Sequence, residues 1–466
     1  MDTILDSIVH FIDGIIVWYN DYIGGYLLLI MLVPTGLYFA FKFKFLHITK
    51  IAHSIKIIRG KYDKKEDVGD INHFRALTTA LSATIGTGNI VGVALAIYYG
   101  GPGALFWMWI TGFLGMILKF VECTLSFKYR KINEDGSASG GPMYYMEMGL
   151  KEKLGSFAKV LAVIFAGATI LCSMGTGNMA QSNSMADVMR ANYGIPPLFS
   201  GILISSLVLL VIVGGIKRIA EVTSKLVPFM AVMYFLSAIV VIVISYKQIP
   251  SAFAMVINDA FTGTAATGGF IGSAFIMTLT WGVRRGLFSN EAGQGSAAIA
   301  HAAAKTKHPV REGLVASVGP FIDTLIICTL TALVIIVTGA WDSGKEGVEM
   351  TVIAFTRGLS GIGLEEIAPH VVAGGLMLFA FSTIIAWSYY GTRASQYLLG
   401  TKSIRPYRYI YGLFVFLGAM GRIDIVWHFV DMVITFMTIP NLIAILLLGG
   451  VVKKEIDKYF THMKQL

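Results

Sequence analysis

The stretch Ala83-Thr84-Ile85-Gly86-Thr87-Gly88-Asn89-Ile90 lies in the middle of an apolar segment, at about 74–99, that is long enough to cross a bilayer. Gly86 and Gly88, which are separated by one residue, give the backbone torsional freedom and let a ligand approach closely. Because lipid offers backbone groups no hydrogen-bonding partner, a helix breaks at this depth only where protein or a cavity satisfies them. The stretch therefore predicts a broken transmembrane helix with a binding site at the break.

The whole chain has the composition of a membrane protein. Of its 466 residues, 55% are hydrophobic and 14% are charged, whereas a soluble domain carries about 25% charged residues. A bilayer crossing needs about 20 mostly apolar residues. This length predicts about 11 spans, at 25–44, 74–99, 102–127, 156–180, 197–215, 222–246, 266–290, 312–339, 369–392, 405–421 and 427–451. We therefore expect an all-α polytopic membrane protein.

Lysine and arginine cluster in alternate loops between these spans. The basic loops lie at 42–65, 128–131, 217–225, 305–311, 402–408 and 453–458. The opposite side carries Arg190, Lys247, Lys345, Arg357 and Arg422. Since short cytoplasmic loops are enriched in these residues, we predict a multi-pass protein of the cell membrane with its N-terminus outside and its C-terminus in the cytoplasm. The net charge of +9 is then a topology signal, which excludes nucleic-acid binding.

The first span stands alone and the other ten form two groups of five. An odd number of crossings makes the second group an inverted copy of the first. We predict an N-terminal part at 1–72, with an amphipathic segment, the first span and a basic loop, then repeats at 73–250 and 251–452 and a cytoplasmic tail at 453–466. The second group also begins with a glycine-interrupted span, between Gly272 and Gly282. Paired interruptions at corresponding positions indicate a secondary transporter.

The break at Gly86 offers opposite partial charges on its two stumps. The half-helix that begins near Thr87 presents free N–H groups and a positive dipole end, which suit a carboxylate. The half-helix that ends near Ile85 presents carbonyl oxygens, which suit a small cation. Side-chain oxygens are added by Thr84, Thr87 and Asn89. One break can therefore bind an anion on one side and a cation on the other.

Other spans carry polar groups that can reach the break. Span four contains Gly175-Thr176-Gly177-Asn178-Met179-Ala180-Gln181, and span nine contains Ser382 and Thr383 followed one turn later by Trp387. The two hydroxyls can complete a cation shell, although back-bonding to their own helix is a common habit of such residues in membranes. Asp323 lies inside span eight and is a functional candidate by default. It can bind a cation, carry a proton or pair with a basic neighbour.

One polar group near the end of span seven has a different interpretation. It consists of Arg284, Arg285, Asn290 and Glu291. We interpret this group as a gate network or a helix cap near the cytoplasm rather than as part of a substrate site.

Several long motifs resemble those of the alanine or glycine:cation symporter family. In chain order they are the 83–90 stretch, Gly100-Gly101-Pro102-Gly103-Ala104 with Phe106-Trp107-Met108-Trp109, Gly140-Gly141-Pro142-Met143-Tyr144, Arg285-Gly286-Leu287-Phe288-Ser289-Asn290-Glu291-Ala292-Gly293, and Trp387-Ser388-Tyr389-Tyr390-Gly391. The resemblance runs from about Asp70 to Val451. It implies a LeuT-type fold of five-plus-five inverted repeats and sodium-driven uptake of alanine or glycine.

The resemblance also implies roles for particular residues. The expected substrate-binding residues are Thr84, Thr87, Gly88, Asn89, Asn178, Gln181, Trp281 and Trp387. The expected sodium ligands are the hydroxyls of Ser382 and Thr383 with carbonyls near Ser82 and Ile85, and Asn89 for a possible second sodium ion. Trp281 is the candidate that span seven contributes, without a motif that aligns it to a contact.

Rival functional classes fit the sequence less well. A channel requires a continuous polar pore with repeated carbonyls or charged rings, whereas the polar groups here cluster around two interruptions. A membrane enzyme requires a nucleophile with a base or a metal constellation, and no histidine falls at a polar break. The alternative that stays open is an amino-acid symporter driven by protons, with Asp323 as the carrier.

Overall fold

The computed structural model describes residues 2–64, 66–134, 136–262, 271–421 and 424–464. Lys65, the first residues predicted for span seven (266–270) and Arg422 lie outside the described residues. The fold is all-α apart from one short antiparallel pair of strands, β1 (Lys131–Ile132) and β2 (Ala138–Ser139), within the described part of the chain.

The helices follow one another with short connections. The α-helices, in chain order, are α1 (Asp2–Tyr19), α2 (Gly25–Lys42), α3 (Leu46–Thr49), α4 (Ile51–Ile58), α5 (His73–Thr84), α6 (Val91–Gly100), α7 (Ala104–Lys128), α8 (Pro142–Gly149), α9 (Lys151–Leu154), α10 (Phe157–Met174), α11 (Ala180–Tyr193), α12 (Pro197–Ile212), α13 (Gly215–Ile244), α14 (Ile249–Thr262), α15 (Ile271–Asn290), α16 (Ser296–His301), α17 (Pro309–Pro320), α18 (Thr329–Val337), α19 (Gly347–Ser360), α20 (Ala368–Leu399), α21 (Ile404–Met420) and α22 (Asp424–Lys464). π-helical segments lie at Asn20–Gly24, Gly175–Met179 and Phe321–Cys328, and 3-10 turns at Thr87–Asn89, Tyr246–Gln248, Ala340–Asp342, Glu365–Ile367 and Thr401–Ser403.

Most of the predicted spans correspond to long apolar helices. Seven stretches of the described residues are long and apolar enough to cross a bilayer: His10–Lys42, Ala104–Lys128, Phe157–Tyr193, Gly215–Ile244, Pro309–Val337, Glu365–Leu399 and His428–Met463. A bent pair adds an eighth crossing if it is counted as one span. The other predicted spans correspond to α12, α15 and α21, which are helical but shorter or more polar. The all-α polytopic class is confirmed, and the total of eleven stays a prediction.

Two predicted boundaries fall inside helices. The division between the repeats at 250/251 lies within α14, and the predicted tail at 453–466 begins inside α22, which is helical to Lys464. At the other end of the chain, α1 continues through Asn20–Gly24 into α2, and the apolar stretch begins at His10. The first crossing is therefore longer at its N-terminal side than the predicted 25–44. The repeat boundaries themselves remain predictions.

The predicted break in the first repeat is present. The segment His73–Thr84 and the segment Thr87–Gly100 meet at an angle of 62°. Between them Ile85 and Gly86 are extended, with φ/ψ of −75°/91° and −140°/−154°. The first half-helix therefore ends at Thr84. The α-helix resumes at Val91, after the 3-10 turn at Thr87–Asn89.

The interruption predicted between Gly272 and Gly282 is wrong in position. Helix α15 is continuous from Ile271 to Asn290, and the chain leaves the helix at 291–295 before α16 begins. Gly282 serves close packing instead, because a Cβ there would lie 2.5 Å from the carbonyl oxygen of Ala104 on α7. The second broken helix is thus α15 followed by α16, with its break about ten residues beyond the predicted stretch.

Candidate functional site

Four oxygen atoms converge where α5 ends against α20. The hydroxyl of Ser382 lies 3.2 Å from the carbonyl oxygen of Ser82 and 3.4 Å from that of Ile85. The hydroxyl of Thr383 lies at 3.2 Å and 3.4 Å from the same two carbonyls. All four residues are buried. The two hydroxyls therefore face the C-terminal stump of the first half-helix, which the sequence predicted as a cation site.

The close packing of α20 against the break depends on the absence of a side chain at Gly86. A Cβ at Gly86 would lie 2.5 Å from the hydroxyl oxygen of Thr383 and 3.5 Å from Oε1 of Gln181. Real Cβ atoms essentially never approach an oxygen that closely. The close approach of α20 to the break thus requires glycine at this position.

The second stump directs its N–H groups at oxygen acceptors. The amide of Gly86 donates to Oδ1 of Asn89 at 2.9 Å, and the amide of Thr87 donates to Oε1 of Gln181 at 3.3 Å. The Nε2 group of Gln181 donates to the hydroxyl of Thr87 at 3.0 Å. Gln181 therefore joins span four to the break. The sequence analysis expected polar groups of span four to reach the break.

Asp323 is buried at the centre of a separate polar cluster beside the break. Its Oδ1 accepts a hydrogen bond of 2.7 Å from the side-chain amide of Asn89. Its Oδ2 accepts hydrogen bonds of 2.8 Å from Ser289 and from Thr324. These hydrogen-bonding partners are all neutral donors, and the positive charge that acts on the carboxylate from a greater distance is that of the buried Lys119. The acid is thus held by uncharged groups from three segments of the chain.

Glu291 occupies the break between α15 and α16, whereas the sequence interpretation placed it near the end of span seven as part of a gate or cap. Glu291 has a left-handed backbone with φ of 54°, and Gly293 and Gly295 follow with φ of 88° and 80°. The indole N–H of Trp387 donates to Glu291 at 2.9 Å, and the hydroxyl of Ser296 donates at 2.5 Å. A signal was present in the sequence, since Gly293-Gln294-Gly295 repeats the Gly-x-Gly spacing of the first break.

Comparisons with known proteins show the family of this chain. The family described as the sodium:alanine symporter family matches residues 9–466. The chain belongs to this family. It is 43% identical to the sodium/alanine symporter AgcS of Methanococcus maripaludis over 96% of each chain. It is 34% identical to a putative sodium/proton-dependent alanine carrier protein, YrbD of Bacillus subtilis, over 93% of this chain and 90% of the relative.

The fold of this symporter is also found among solved structures. The structure of MhsT in complex with L-phenylalanine superposes with a TM-score of 0.54 at 14% identity, covering 83% of this chain and 99% of MhsT. This likeness establishes the LeuT-type fold. The protein is thus a secondary transporter and not an enzyme, and its family makes it a sodium-coupled symporter of amino acids.

Three of the predicted substrate-binding residues of the symporter make other contacts. Thr84 donates back to the carbonyl of Leu81 at 3.2 Å, which is ordinary helix back-bonding. The side-chain amide of Asn178 donates to the carbonyl of Tyr411 on α21 at 2.8 Å, a contact with another helix rather than with the break. Trp281 stacks on Tyr99 with ring centroids 4.4 Å apart, at the end of α6 that is remote from the break. Polarity or aromaticity alone did not reveal which way these side chains turn.

Trp281 instead lines a wide cavity among α1, α6, α11, α15, α19 and α22, which we call the vestibule. Its volume is about 1180 Å³, and its wall includes Tyr99, Trp281, Arg285, Glu346 and Asp431. Arg285 and Asp431 form an ion pair of 3.5 Å in this wall. Arg284 and Arg285 therefore do not lie at the end of span seven that was predicted to be cytoplasmic, because the chain continues through the break into α16.

Proposed function

We propose that this symporter couples the uptake of a small neutral amino acid, alanine or glycine, to sodium by alternating access across the cell membrane. The observation that carries this proposal is the break at Gly86. At the end of α5, carbonyl and hydroxyl oxygens lie close together, and on the other side of the break backbone N–H groups point toward oxygen acceptors. A zwitterion and a cation can therefore bind next to each other.

The sodium ion is assigned to the four oxygens of Ser82, Ile85, Ser382 and Thr383. Backbone carbonyls present two lone pairs each, and hydroxyl groups can rotate to present theirs. In a buried site such oxygens can replace the water shell of a small cation. The geometry supports this assignment because the hydroxyls of Ser382 and Thr383 each lie close to both carbonyl oxygens.

The substrate carboxylate is assigned to the amides around Thr87. The Gly86 and Thr87 amides already donate to side-chain oxygens of Asn89 and Gln181, so they are oriented for an oxygen acceptor. A carboxylate would take such hydrogen bonds more strongly than a neutral amide oxygen does. Asn89, proposed as a ligand of a second sodium ion, has its Nδ2 engaged by Asp323, and its Oδ1 is the atom that would serve.

A small substrate fits the crowded surroundings of the break. Gly177 lies directly against the indole of Trp387, and a Cβ on Gly88 would lie 3.0 Å from the ring of Phe288. Trp387 is almost fully buried. Rigid aromatic walls this close to the backbone favour a ligand whose own side chain is a methyl group or a hydrogen atom.

The working cycle begins at the vestibule, which lies on the side that the loop charges place outside the cell. Sodium binds first and fixes the end of α5 against α20, after which the amino acid binds through its carboxylate. Closure of the vestibule follows, and the first helices of the two repeats then rock so that their cytoplasmic ends part and open the cytoplasmic side. Such rocking of paired helices around a fixed midplane site is typical of inverted-repeat transporters.

The alternative function is proton-coupled symport through Asp323. Its specific support is a buried carboxylate whose hydrogen-bonding partners are all neutral, since a buried acid that is not in a direct ion pair tends to take up a proton or a cation. The same observation is compatible with a second sodium ion. The coupling ion therefore has to be measured.

The test is uptake of radiolabelled alanine and glycine into proteoliposomes under an imposed gradient of sodium, lithium or protons. The proposal predicts concentrative uptake with the sodium gradient and none with a proton gradient alone. Uptake driven by protons without sodium would establish the alternative. Larger amino acids serve as competitors, and strong inhibition by a bulky one would contradict the small pocket.

A further inference from the structure

The two broken helices are joined by their backbones at the end opposite the vestibule. The amides of Asp70 and Ile71, just before α5, donate to the carbonyl of Ala303 at 2.8 Å and 3.2 Å. The amide of Lys305 returns a hydrogen bond of 2.7 Å to the carbonyl of Ile71, which makes a short parallel bridge between Ile71 and Ala304. The start of the first repeat and the exit from the second broken helix are thus paired directly. We call these hydrogen bonds the backbone bridge.

Arg130 spans this bridge from the end of α7. Its guanidinium donates to the carbonyl of Val68 at 2.8 Å on the side of the first repeat. On the side of the second repeat it donates to Ala302 at 2.9 Å and to Ala304 at 2.7 Å. An arginine fork is suited to several acceptors at fixed positions, whereas a lysine ammonium is a point charge. One side chain therefore links both ends of the bridge.

The position of Arg130 is fixed and its charge is retained. Its guanidinium stacks on the ring of Phe127 at 3.7 Å. Burial lowers the pKa of Arg130 to about 10, partly offset by Glu312, Asp70 and Asp67, so the group is charged at neutral pH. Hydrogen bonds from a charged donor are stronger than those from a neutral one.

The buried carboxylate of Glu312 forms a second connection between the two broken helices, next to the backbone bridge. Glu312 on α17 pairs with His73, the first residue of α5, and at 2.6 Å with His301, the last residue of α16. All three side chains are buried. Glu312 of α17 therefore also holds the two broken helices together, at the beginning of α5 and at the end of α16.

We propose that Arg130 is the positioning residue of the cytoplasmic gate, holding the backbone bridge closed until the substrate-loaded symporter opens inward. This inference rests on the alternating-access function proposed above. The loop charges place this end at the cytoplasm, and the vestibule opens at the other end. Opening inward must separate the segment before α5 from the segment after α16, and their hydrogen bonds to Arg130 must then be lost.

The experiment is hydrogen–deuterium exchange on the full-length protein in lipid nanodiscs, read in peptides that cover 67–72 and 301–306. Arg130→Ala is compared with Arg130→Lys and with the control Lys128→Ala. Lys128 lies on the same helix end but pairs with Glu455 on α22 instead of with the bridge. We expect exchange in both peptides to be about tenfold faster in Arg130→Ala, a factor that corresponds to about 1.4 kcal/mol. Arg130→Lys should be intermediate, and Lys128→Ala should match the unmodified protein.

Unchanged exchange in the two peptides of Arg130→Ala would overturn the proposal. Faster exchange spread over all helices would also overturn it, because it would show a general loss of stability rather than an open gate. A transport measurement gives an independent check. A gate that opens too readily depletes the outward-facing state, so the external sodium concentration for half-maximal uptake should rise in Arg130→Ala. Failure of the unmodified protein to show sodium-dependent uptake would instead overturn the proposed function, whatever the exchange result.

Discussion

At the scale of single residues, the hydroxyl of Thr383 is the side-chain group that most directly tests the ion site. It faces the carbonyls of both Ser82 and Ile85. A polar contact with a charged partner contributes about 1.5–3 kcal/mol, so Thr383→Ala should raise the sodium concentration for half-maximal uptake about tenfold or more. The preference between alanine and glycine should not change.

Sodium titration of uptake with each amino acid measures both quantities. Thr169→Ala is the matched control, because Thr169 is equally buried but bonds only to the carbonyl of Phe165 on its own helix. A change in amino-acid preference as large as the change in sodium dependence would count against the assignment of Thr383.

Gly86 offers a steric test of the same site. The added methyl group of Gly86→Ala would press on the hydroxyl of Thr383, so uptake should be lost while the protein still folds. Gly167→Ala, on α10, adds the same atom where nothing lies within 4 Å and should leave transport and melting temperature unchanged. Normal sodium-dependent uptake by Gly86→Ala would show that α20 does not approach the break this closely.

Asp323 separates the two candidate coupling ions. Asp323→Asn removes the carboxylate of this cluster while keeping an oxygen that can accept a hydrogen bond from Asn89. If sodium drives transport, sodium-dependent alanine uptake persists in this variant, although at a reduced rate. Complete loss of sodium-dependent uptake would leave both proton coupling and a sodium ion bound at Asp323 in place, and the imposed-gradient experiment then decides between them. Asp457→Asn, an exposed acid that pairs with Lys453, controls for the change of charge.

At the scale of helices, the second break depends on a link between Glu291 and Trp387. The indole N–H donates to Glu291 at 2.9 Å, so one hydrogen bond joins α20 to the break. Glu291→Ala and Trp387→Phe each remove one partner and should each raise the KM for alanine. The double variant should be no worse than the poorer single variant, since contacting residues show coupling energies of about 0.5–3 kcal/mol.

The same uptake assay on all four proteins gives this coupling. Ser296→Ala, which removes the other partner of Glu291, should have the smaller effect because it leaves the indole bond intact. Additive losses in the double variant would mean that Glu291 and Trp387 act separately.

The two breaks also show how far sequence alone could locate the elements. The first was predictable because Gly86 and Gly88 interrupt an otherwise apolar span with polar neighbours that need partners. The second was placed wrongly because Gly282 is used to bring α15 close to α7. A glycine that opens a helix and one that lets two helices touch look alike in sequence, and only the facing residue distinguishes them. Polar side chains are ambiguous in the same way. Gln181 accepts a hydrogen bond from the break, whereas Asn178, one turn away, donates its hydrogen bond to Tyr411 on α21.

At the scale of the whole molecule, the two ends of the broken helices differ. One end borders the vestibule of about 1180 Å³, and the other is closed by the backbone bridge, Arg130 and Glu312. Sequence alone could predict the alternation of charged loops and hence an orientation. It could not predict which end is closed, because the bridge is made by backbone atoms of residues more than 200 positions apart.

The orientation has a direct test with a membrane-impermeant maleimide. Cys123, Cys172 and Cys328 are all buried, so the native protein should give little labelling. Lys345→Cys places a thiol at the mouth of the vestibule, and Lys454→Cys places one on the exposed face of the C-terminal part of α22. With the vestibule outside, Lys345→Cys is labelled in intact cells and Lys454→Cys only after the membrane is permeabilised. The reverse pattern would invert the proposed topology, and the backbone bridge would then have to be the extracellular gate.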